Sequence, residues 1–404
     1  MRILQVLPRY APAWAFGGGV RMFWILAEAL ASRGHQVSVI TSDSLSPDTR
    51  STDLTETLGA GVRVRRYRNR YNGLSAALGP IFFRPIGMRA ALRRAVLDVD
   101  VIHMGESRGI HNVWTADAAA TAKVPLIWSA YGGLASGAGI RGLYRQLHDD
   151  AFTKKVLPHV AAVVAQTPHE EEVYLQFGLR PEQIERIPLC LDPELESAVV
   201  SSGSFRRMIS VPHGAPLVVS VARLHPVKGL DLLIRAFAQL PVGGNPPYLA
   251  LVGGDHGAQE ALMRQAESLG VAARVKFPGP LYGSDRFAAY SDATVFALTP
   301  AVFEETSLAA LEAAACGAPT VLIRECEIPG LADTGGGLVV PREEAAVAYG
   351  LSSLLGDNVG RQEMSLKARA FTLEHYSARK VVSSHEVLFE RLISACAPAS
   401  SLGF

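Results

Sequence analysis

The sequence predicts an α/β protein built from two Rossmann-like domains with parallel sheets. Short apolar runs of strand length alternate along the 404 residues with longer amphipathic runs, the signature of strand–helix–strand units. The length suffices for two cores of ordinary size. Residues 1–190 carry 22 Lys and Arg against 16 Asp and Glu, a net +6, whereas residues 191–404 carry 17 against 22, a net −5. Such a difference fits two domains with different partners.

Composition also excludes several classes. No uninterrupted apolar stretch approaches 18 residues, so a spanning helix is not expected. The opening MRILQVLP reads as a strand rather than a leader, and the expected location is the cytoplasm. Cys190, Cys316, Cys326 and Cys396 lack metal or disulfide spacing and read as reduced, mostly buried thiols. The basic surplus is too diffuse, and lacks the interleaved aromatics, for a nucleic-acid module.

In the first half, Arg2–Leu7 reads as a buried strand. A long loop runs through Gly18 and Gly19 into the helix Val20–Ala31, which Gly34 stops before the strand Gln36–Thr41. The glycines do not spell G-x-G-x-x-G and no acidic residue closes the second strand, so an NAD site is not expected. They do let backbone amides approach a diphosphate or an acceptor. The arginine-rich run Val62–Arg70 reads as an edge strand whose charges block unwanted pairing. Residues Leu78–Leu97 carry aromatics with Arg84, Arg89, Arg93 and Arg94; they fit an amphipathic helix over the core or a peripheral contact with an anionic membrane. Asp98-Val99-Asp100 leads into a strand rather than forming a metal site, and His103 and Glu106 stand where that strand ends. Pro125–Ser129 is a further strand, opening into Tyr131-Gly132-Gly133. Leu143–Leu157 reads as helix and Val160–Gln166 as strand; Thr167 and Glu170 have capping-box spacing for the helix that follows.

In the second half, a serine-rich bridge (Ser201–Ser204) precedes the strand Leu217–Val221. Arg223 leaves its carboxyl end and Lys228 stands just before the helix Leu230–Leu240. Two cations at this spacing can clamp a diphosphate, Arg as a planar fork and Lys as a point charge. The strand Tyr248–Val252 ends at Gly253 and Gly254, and Val275–Phe277 runs into Pro278–Leu281. Then come the strand Ala293–Leu298, the loop Thr299–Thr306, the helix Ser307–Cys316 and the strand Thr320–Ile323. Ligands of α/β sheets bind at such carboxyl-end loops, and the free amides at Thr306, Ser307 and Leu308 suit a phosphate. Glu304 in the loop and Glu312 in the helix seem out of place beside an anion unless they serve another part of the same ligand. A nucleotide-sugar reconciles them, because carboxylates accept hydrogen bonds from sugar hydroxyls. Residues 343–373 read as helical, and a last amphipathic helix starts near Tyr376-Ser377.

Here the chain resembles the retaining glycosyltransferases of family 4. Their paired Glu and Ala-x-x-x-Gly-x-Pro match Glu304, Glu312, Ala313, Gly317 and Pro319; their Arg-Leu-x-x-x-Lys-Gly matches Arg223, Leu224, Lys228 and Gly229. The resemblance covers nearly the whole chain. It implies the GT-B fold, two Rossmann-like domains with parallel sheets facing across a cleft. The acceptor domain would be residues 1–190, completed by a helix over about 377–404, and the donor domain residues 191–376. It also implies transfer of a hexose-type sugar, with retention and without a metal or other cofactor, from a UDP- or GDP-linked donor. The acceptor would be a glycan or lipid-linked intermediate in polysaccharide or glycoconjugate synthesis; the basic, aromatic run Leu78–Leu97 allows a place at the inner face of the membrane within the expected cytoplasmic location.

By the same resemblance, Arg223 and Lys228 hold the leaving diphosphate, Glu304 the sugar and Glu312 the ribose. Gly18, Gly19, Gly253, Gly254, Leu281, Thr306, Ser307 and Leu308 line the donor pocket. Tyr131 occupies the place of a histidine near the reacting sugar, a departure that leaves a phenol in place of an imidazole. Tyr10 and Trp14, in a loop type of polysaccharide-building members, are acceptor-side candidates with His103 and Glu106. The competing readings are a nucleotide-sugar epimerase or hydrolase on the same fold, and a catalytically silent nucleotide-sugar-binding subunit.

Overall fold

A computed structural model describes residues 1–78, 82–134, 139–197, 203–326 and 328–396. Its contacts divide the chain into two compact units: Met1–Cys190 joined by the segment from Ala378 onward, and Leu191–Ser377. Part of the serine-rich bridge, residues 201–202, and residues 79–81 of the Leu78–Leu97 run lie outside the described residues.

The first unit holds eight strands: β1 (Arg2–Val6), β2 (Gln36–Ser42), β3 (Thr55–Leu58), β4 (Val62–Tyr67), β5 (Val101–Gly105), β6 (Leu126–Ser129), β7 (Ala162–Ala165) and β8 (Ile184–Arg186). They lie in the order β3-β4-β2-β1-β5-β6-β7-β8, parallel throughout except for β3 against β4. Strands buried on both faces must be apolar along their length, and β5, β6 and β7 have no exposed residue.

The arginine-rich strand is not the edge. β4 pairs with β2 in parallel and with β3 on its other side, so β3 is the edge strand. The alternation explains this correction: Val62 and Val64 face the core, and Arg66 is buried in an ion pair with Glu56 across the β3–β4 ladder. The helix Met88–Ala95 turns Met88, Ala91 and Leu92 into the core and sets Arg89 and Arg93 beside Asp117, at 3.4 and 3.2 Å. Met88, Ala91 and Leu92 pack on the core, as the first of the two readings of this run has it. Asp100 is held by the Arg2 backbone amide (2.7 Å) and guanidinium. The closing helix Ala378–Cys396 packs on the helix Gly18–Ser32, with Glu386 bonded to His35 and Arg33, both at 2.8 Å.

The second unit is a six-stranded, wholly parallel sheet. Its strands are β9 (Leu217–Val221), β10 (Tyr248–Val252), β11 (Val275–Gly279), β12 (Val295–Leu298), β13 (Thr320–Ile323) and β14 (Leu338–Val340), in the order β11-β10-β9-β12-β13-β14. β9 and β12 are neighbours although far apart in sequence, so the order reverses between them, and ligands bind at such switch points. The long helical stretch after β14 is two helices, Glu344–Gly356 and Asn358–Tyr376. Asp357 breaks it by turning its carboxylate onto the Gly360 amide, 2.9 Å. Among the described residues no helix is long and apolar enough to cross a membrane. Cys396 is exposed, unlike the buried Cys190 and Cys326.

Candidate active site

The loops at the carboxyl ends of β9, β12 and β13 are tied together by backbone contacts. Gly229, which follows the 3-10 turn Pro226–Lys228, has φ +59°, and a Cβ there would lie 1.9 Å from the Thr299 carbonyl oxygen. Only glycine lets the β9 loop press this closely on the β12 loop. The approach is sealed by Thr299 Oγ1 donating to the Gly229 carbonyl (2.9 Å) and the Ala301 amide donating to the Val227 carbonyl (2.8 Å). The Glu304 amide donates to the Glu325 carbonyl, 2.7 Å, which anchors the β13 loop. Within this frame the Lys228 ammonium and the Glu304 carboxylate form a half-buried ion pair.

Arg223 leaves β9 exposed, with Gly253 behind it. A Cβ on Gly253 would meet the Ala222 carbonyl oxygen at 1.9 Å, so the β10 loop also needs its glycine for close approach. Leu224 donates to the Gly254 carbonyl (2.9 Å) and His256 to the Leu224 carbonyl (3.0 Å). His256 has its pKa lowered by burial first and then by its neighbours Arg223 and His225, partly opposed by Asp255. Sequence reasoning did not single out either histidine. Leu281 packs its side chain on the core that Leu217, Val219, Ala250 and Val252 share.

The helix Leu308–Ala315 begins at the foot of the Glu304 loop. Its N-cap, Ser307, makes no side-chain cap, and the hydroxyl of Thr306 is buried without a hydrogen-bond partner. Uncapped first-turn amides beside an orphaned buried hydroxyl are what an anionic ligand would complete. One and a half turns on, Glu312 is buried. Arg286 Nε and Nη2 hold its two oxygens at 2.9 and 3.0 Å, and Tyr290 donates to it at 2.9 Å. Burial opposes the Arg286 charge most, yet Glu312, Tyr290 and Asp192 together outweigh it and the pKa of Arg286 is raised. The pair joins two helices 26 residues apart in sequence, and no local pattern announces it.

In the first unit, three non-glycine residues with positive φ sit at the ends of adjacent strands β5 and β6: Glu106 (56°), Arg108 (58°) and Tyr131 (48°). Strain of this kind gathers at functional sites. Tyr131 lies against the first turn of the helix Gly18–Ser32, where a Cβ on Gly19 would be 3.9 Å from its ring; Gly18 opens that turn. Burial, then Glu170, raises the Tyr131 phenol pKa, so it stays protonated and acts as a donor. Glu106 also has its pKa raised by burial, partly opposed by Arg9 across the site. Arg9 stacks on Phe16, 4.0 Å from the ring centroid, with its Nε buried and unpartnered.

Arg108, which the sequence did not advertise, is buried and bonded to Asp149 and to the Gly133 and Leu134 carbonyls. It joins the β5 and β6 loops to the segment beyond the helix Gly139–His148. Glu170 accepts from the Gly132 amide at 2.7 Å and from the Gln166 amide at 2.9 Å, while its own amide donates to Thr167 Oγ1 at 3.1 Å.

Two acceptor-side candidates are corrected. His103 is fully buried in mid-β5 rather than at a surface, bonded to Ser129 Oγ (2.8 Å) and stacked on Phe23 and His385. Tyr10 is fully buried because its loop folds back on the sheet, where Arg66 donates to the Ala11 carbonyl. Trp14 remains half-buried, edge-on to Trp24 at 5.4 Å.

Residues 203–371 match the family described as glycosyl transferases group 1, and residues 17–190 match the glycosyl transferase 4-like domain. The chain is 33% identical over 159 residues to the D-inositol 3-phosphate glycosyltransferase of Acidothermus cellulolyticus, a match spanning 37% of this chain and 34% of that protein. The Corynebacterium glutamicum protein of the same name is 26% identical over 390 residues, 89% of each chain. Among solved structures, HepE of Anabaena in complex with UDP and glucose superposes with a TM-score of 0.76 at 20% identity, over 97% of this chain and all of that one.

Proposed function

We infer, for a chain that belongs to the GT-B glycosyltransferases of the family 4 type, that it moves a hexose from a UDP- or GDP-linked donor to a glycan or lipid-linked acceptor, with retention and without a metal. Polysaccharide or glycoconjugate synthesis on the cytoplasmic side is the setting we assign. The observation that carries this reading is the Lys228–Glu304 pair, held beside Arg223 and the uncapped tip of the helix Leu308–Ala315.

Breaking the bond from the anomeric carbon to phosphate leaves charge on the diphosphate. Arg223, Lys228 and the amides at Thr306–Leu308 are suited to receive it. Lys228 has three N–H donors, so the incoming diphosphate can take one and loosen the hold on Glu304, freeing that carboxylate for the sugar hydroxyls. Glu312 accepts from the ribose, and Gly253, Gly254 and the Leu281 backbone flank the nucleotide. Acceptor recognition falls to Glu106 and Trp14, Tyr131 is assigned to the reacting sugar, and Gly18 and Gly19 offer amides to the donor. The acceptor hydroxyl attacks on the face the phosphate leaves, and its proton passes to the departing phosphate oxygen.

Donor-type electrostatic groups of this kind are each worth on the order of 10²–10³ in kcat. Arg223→Ala and Lys228→Ala should each lose that much in sugar transfer, followed by release of the nucleoside diphosphate. Near-full turnover in either variant overturns the assignment. Release of free or epimerised sugar without an acceptor would favour the hydrolase or epimerase reading instead.

A further inference from the structure

Away from the donor loops, the first unit contains a cavity of about 330 Å³ that the reaction described above does not use. That volume is at the small end of the range for small-molecule sites, roughly 300–1,000 Å³. Ile110 and Val113 of the helix Ile110–Ala122 form one wall, and Leu147 and Phe152 the other. The two polar side chains that line it, Arg84 and His148, are both basic, and among the described residues no carboxylate lines it. Asp149, next in sequence to His148, is bonded to Arg108. Arg84 donates to its neighbour's carbonyl, Phe83 O (2.9 Å), and enters no ion pair among the described residues. His148 has its Nδ1 buried without a hydrogen-bond partner. The first turn of the helix Ile110–Ala122 adds its positive end to the same wall. Leu143 and Leu147 stand exposed on the helix Gly139–His148, with Phe152 just beyond it, so the apolar character continues to the surface.

We propose that this cavity binds an amphiphilic anion, with an apolar chain between Ile110, Val113, Leu147 and Phe152 and a phosphate-type group at Arg84 and His148. Gly109, which lines the cavity, ends the short loop after β5 in which Glu106 and Arg108 stand. Its ligand is therefore the non-sugar portion of the acceptor, an identification that rests on the acceptor side lying in this unit.

The test uses the full chain and octyl phosphate as probe, with inorganic phosphate and octanol as its halves, measured by titration calorimetry. Octyl phosphate should bind at least about tenfold more tightly than either half, with a negative heat-capacity change from apolar burial. Arg84→Ala and the cavity-filling Ile110→Trp and Val113→Phe should each weaken it about tenfold or more. Equal binding of inorganic phosphate, equal binding of octanol, or indifference to all three substitutions overturns the proposal. So does recruitment to phosphatidylglycerol vesicles that octyl phosphate fails to compete, which would assign the patch to a bilayer surface. UDP and GDP titrated in parallel separate the two readings. Nucleotide binding without octyl phosphate binding sinks this inference alone, whereas failure of both nucleotides sinks the donor assignment.

Discussion

The Arg286–Glu312 pair can be separated into a part that supports the fold and a part that serves the ligand. Glu312 is 2% and Arg286 7% exposed, and the carboxylate takes two guanidinium bonds and one phenol bond, at 2.9–3.0 Å. Removing the cation in Arg286→Met leaves a buried carboxylate with Tyr290 as its remaining donor of those three. Breaking a buried pair from one side costs about 3–5 kcal/mol. For a unit of this size each kcal/mol is worth about 2–4 °C, so the melting transition of the second unit should fall by about 6–20 °C. Replacing both partners, Arg286→Met with Glu312→Leu, removes the stranded charge and should restore most of that loss. Nucleotide affinity should not return, because the ribose has lost its acceptor. Thermal unfolding and calorimetric titration of UDP and GDP read the two effects independently. A double variant that binds nucleotide like the parent would refute a ligand role for Glu312. A single variant as stable as the parent would refute the view that the pair is held by mutual need.

Two further perturbations follow from geometry and burial. Gly229→Ala forces a Cβ to within 1.9 Å of the Thr299 oxygen at a left-handed position, and should cost about 2 kcal/mol or more in urea unfolding and weaken nucleotide binding. Gly356→Ala, at the end of the helix Glu344–Gly356 where a Cβ meets nothing within 4 Å, is the control and should lower neither. Burial lowers the pKa of His111 and His385 to about 4 and holds His103 well below its ordinary value, so all three fold neutral. The unfolded chain takes up their protons below about pH 6.5, so their contribution is complete above that pH and is lost as pH falls toward 4. Glu106, its pKa raised by burial, offsets part of this near pH 5. Stability should therefore drop by about 3–4 kcal/mol per pH unit near pH 5. A flat melting temperature between pH 7 and 5 would contradict the burial of these rings.

Local pattern carried the strand–helix alternation well, because each βαβ unit is written in contiguous residues: the run from Ala293 to Ile323 could be divided into strand, loop, helix and strand by eye. It failed where pairing is non-local. β3, with Thr55, Glu56 and Thr57, has little apolar content to mark it as a strand, so the arginine run beside it looked like an edge; Arg66 meeting Glu56 is visible only once the two strands are paired. The site divides the same way. Arg223, Lys228, Glu304 and Glu312 stand in recognisable motifs, but the residues that hold them do not. Lys228 meets Glu304 across 76 residues, and Arg286 reaches Glu312 from a neighbouring helix. Tyr10 and His103 misled for the opposite reason, since a polar side chain near a strand end carries no mark of which way its loop folds.

The closing helix has a consequence for synthesis. Its His385 and Phe389 cover His103 of β5, and its Glu386 grips Arg33 and His35, yet these residues leave the ribosome only after the whole second unit. The leading part of the polypeptide must therefore wait, with an apolar seam uncovered, while the whole of Leu191–Ser377 is translated. At about 5–20 residues per second that delay lasts on the order of ten to forty seconds. The second unit, continuous in sequence, can finish folding first, and a nascent chain stalled just after Ser377 would leave His103 uncovered to chaperones and proteases.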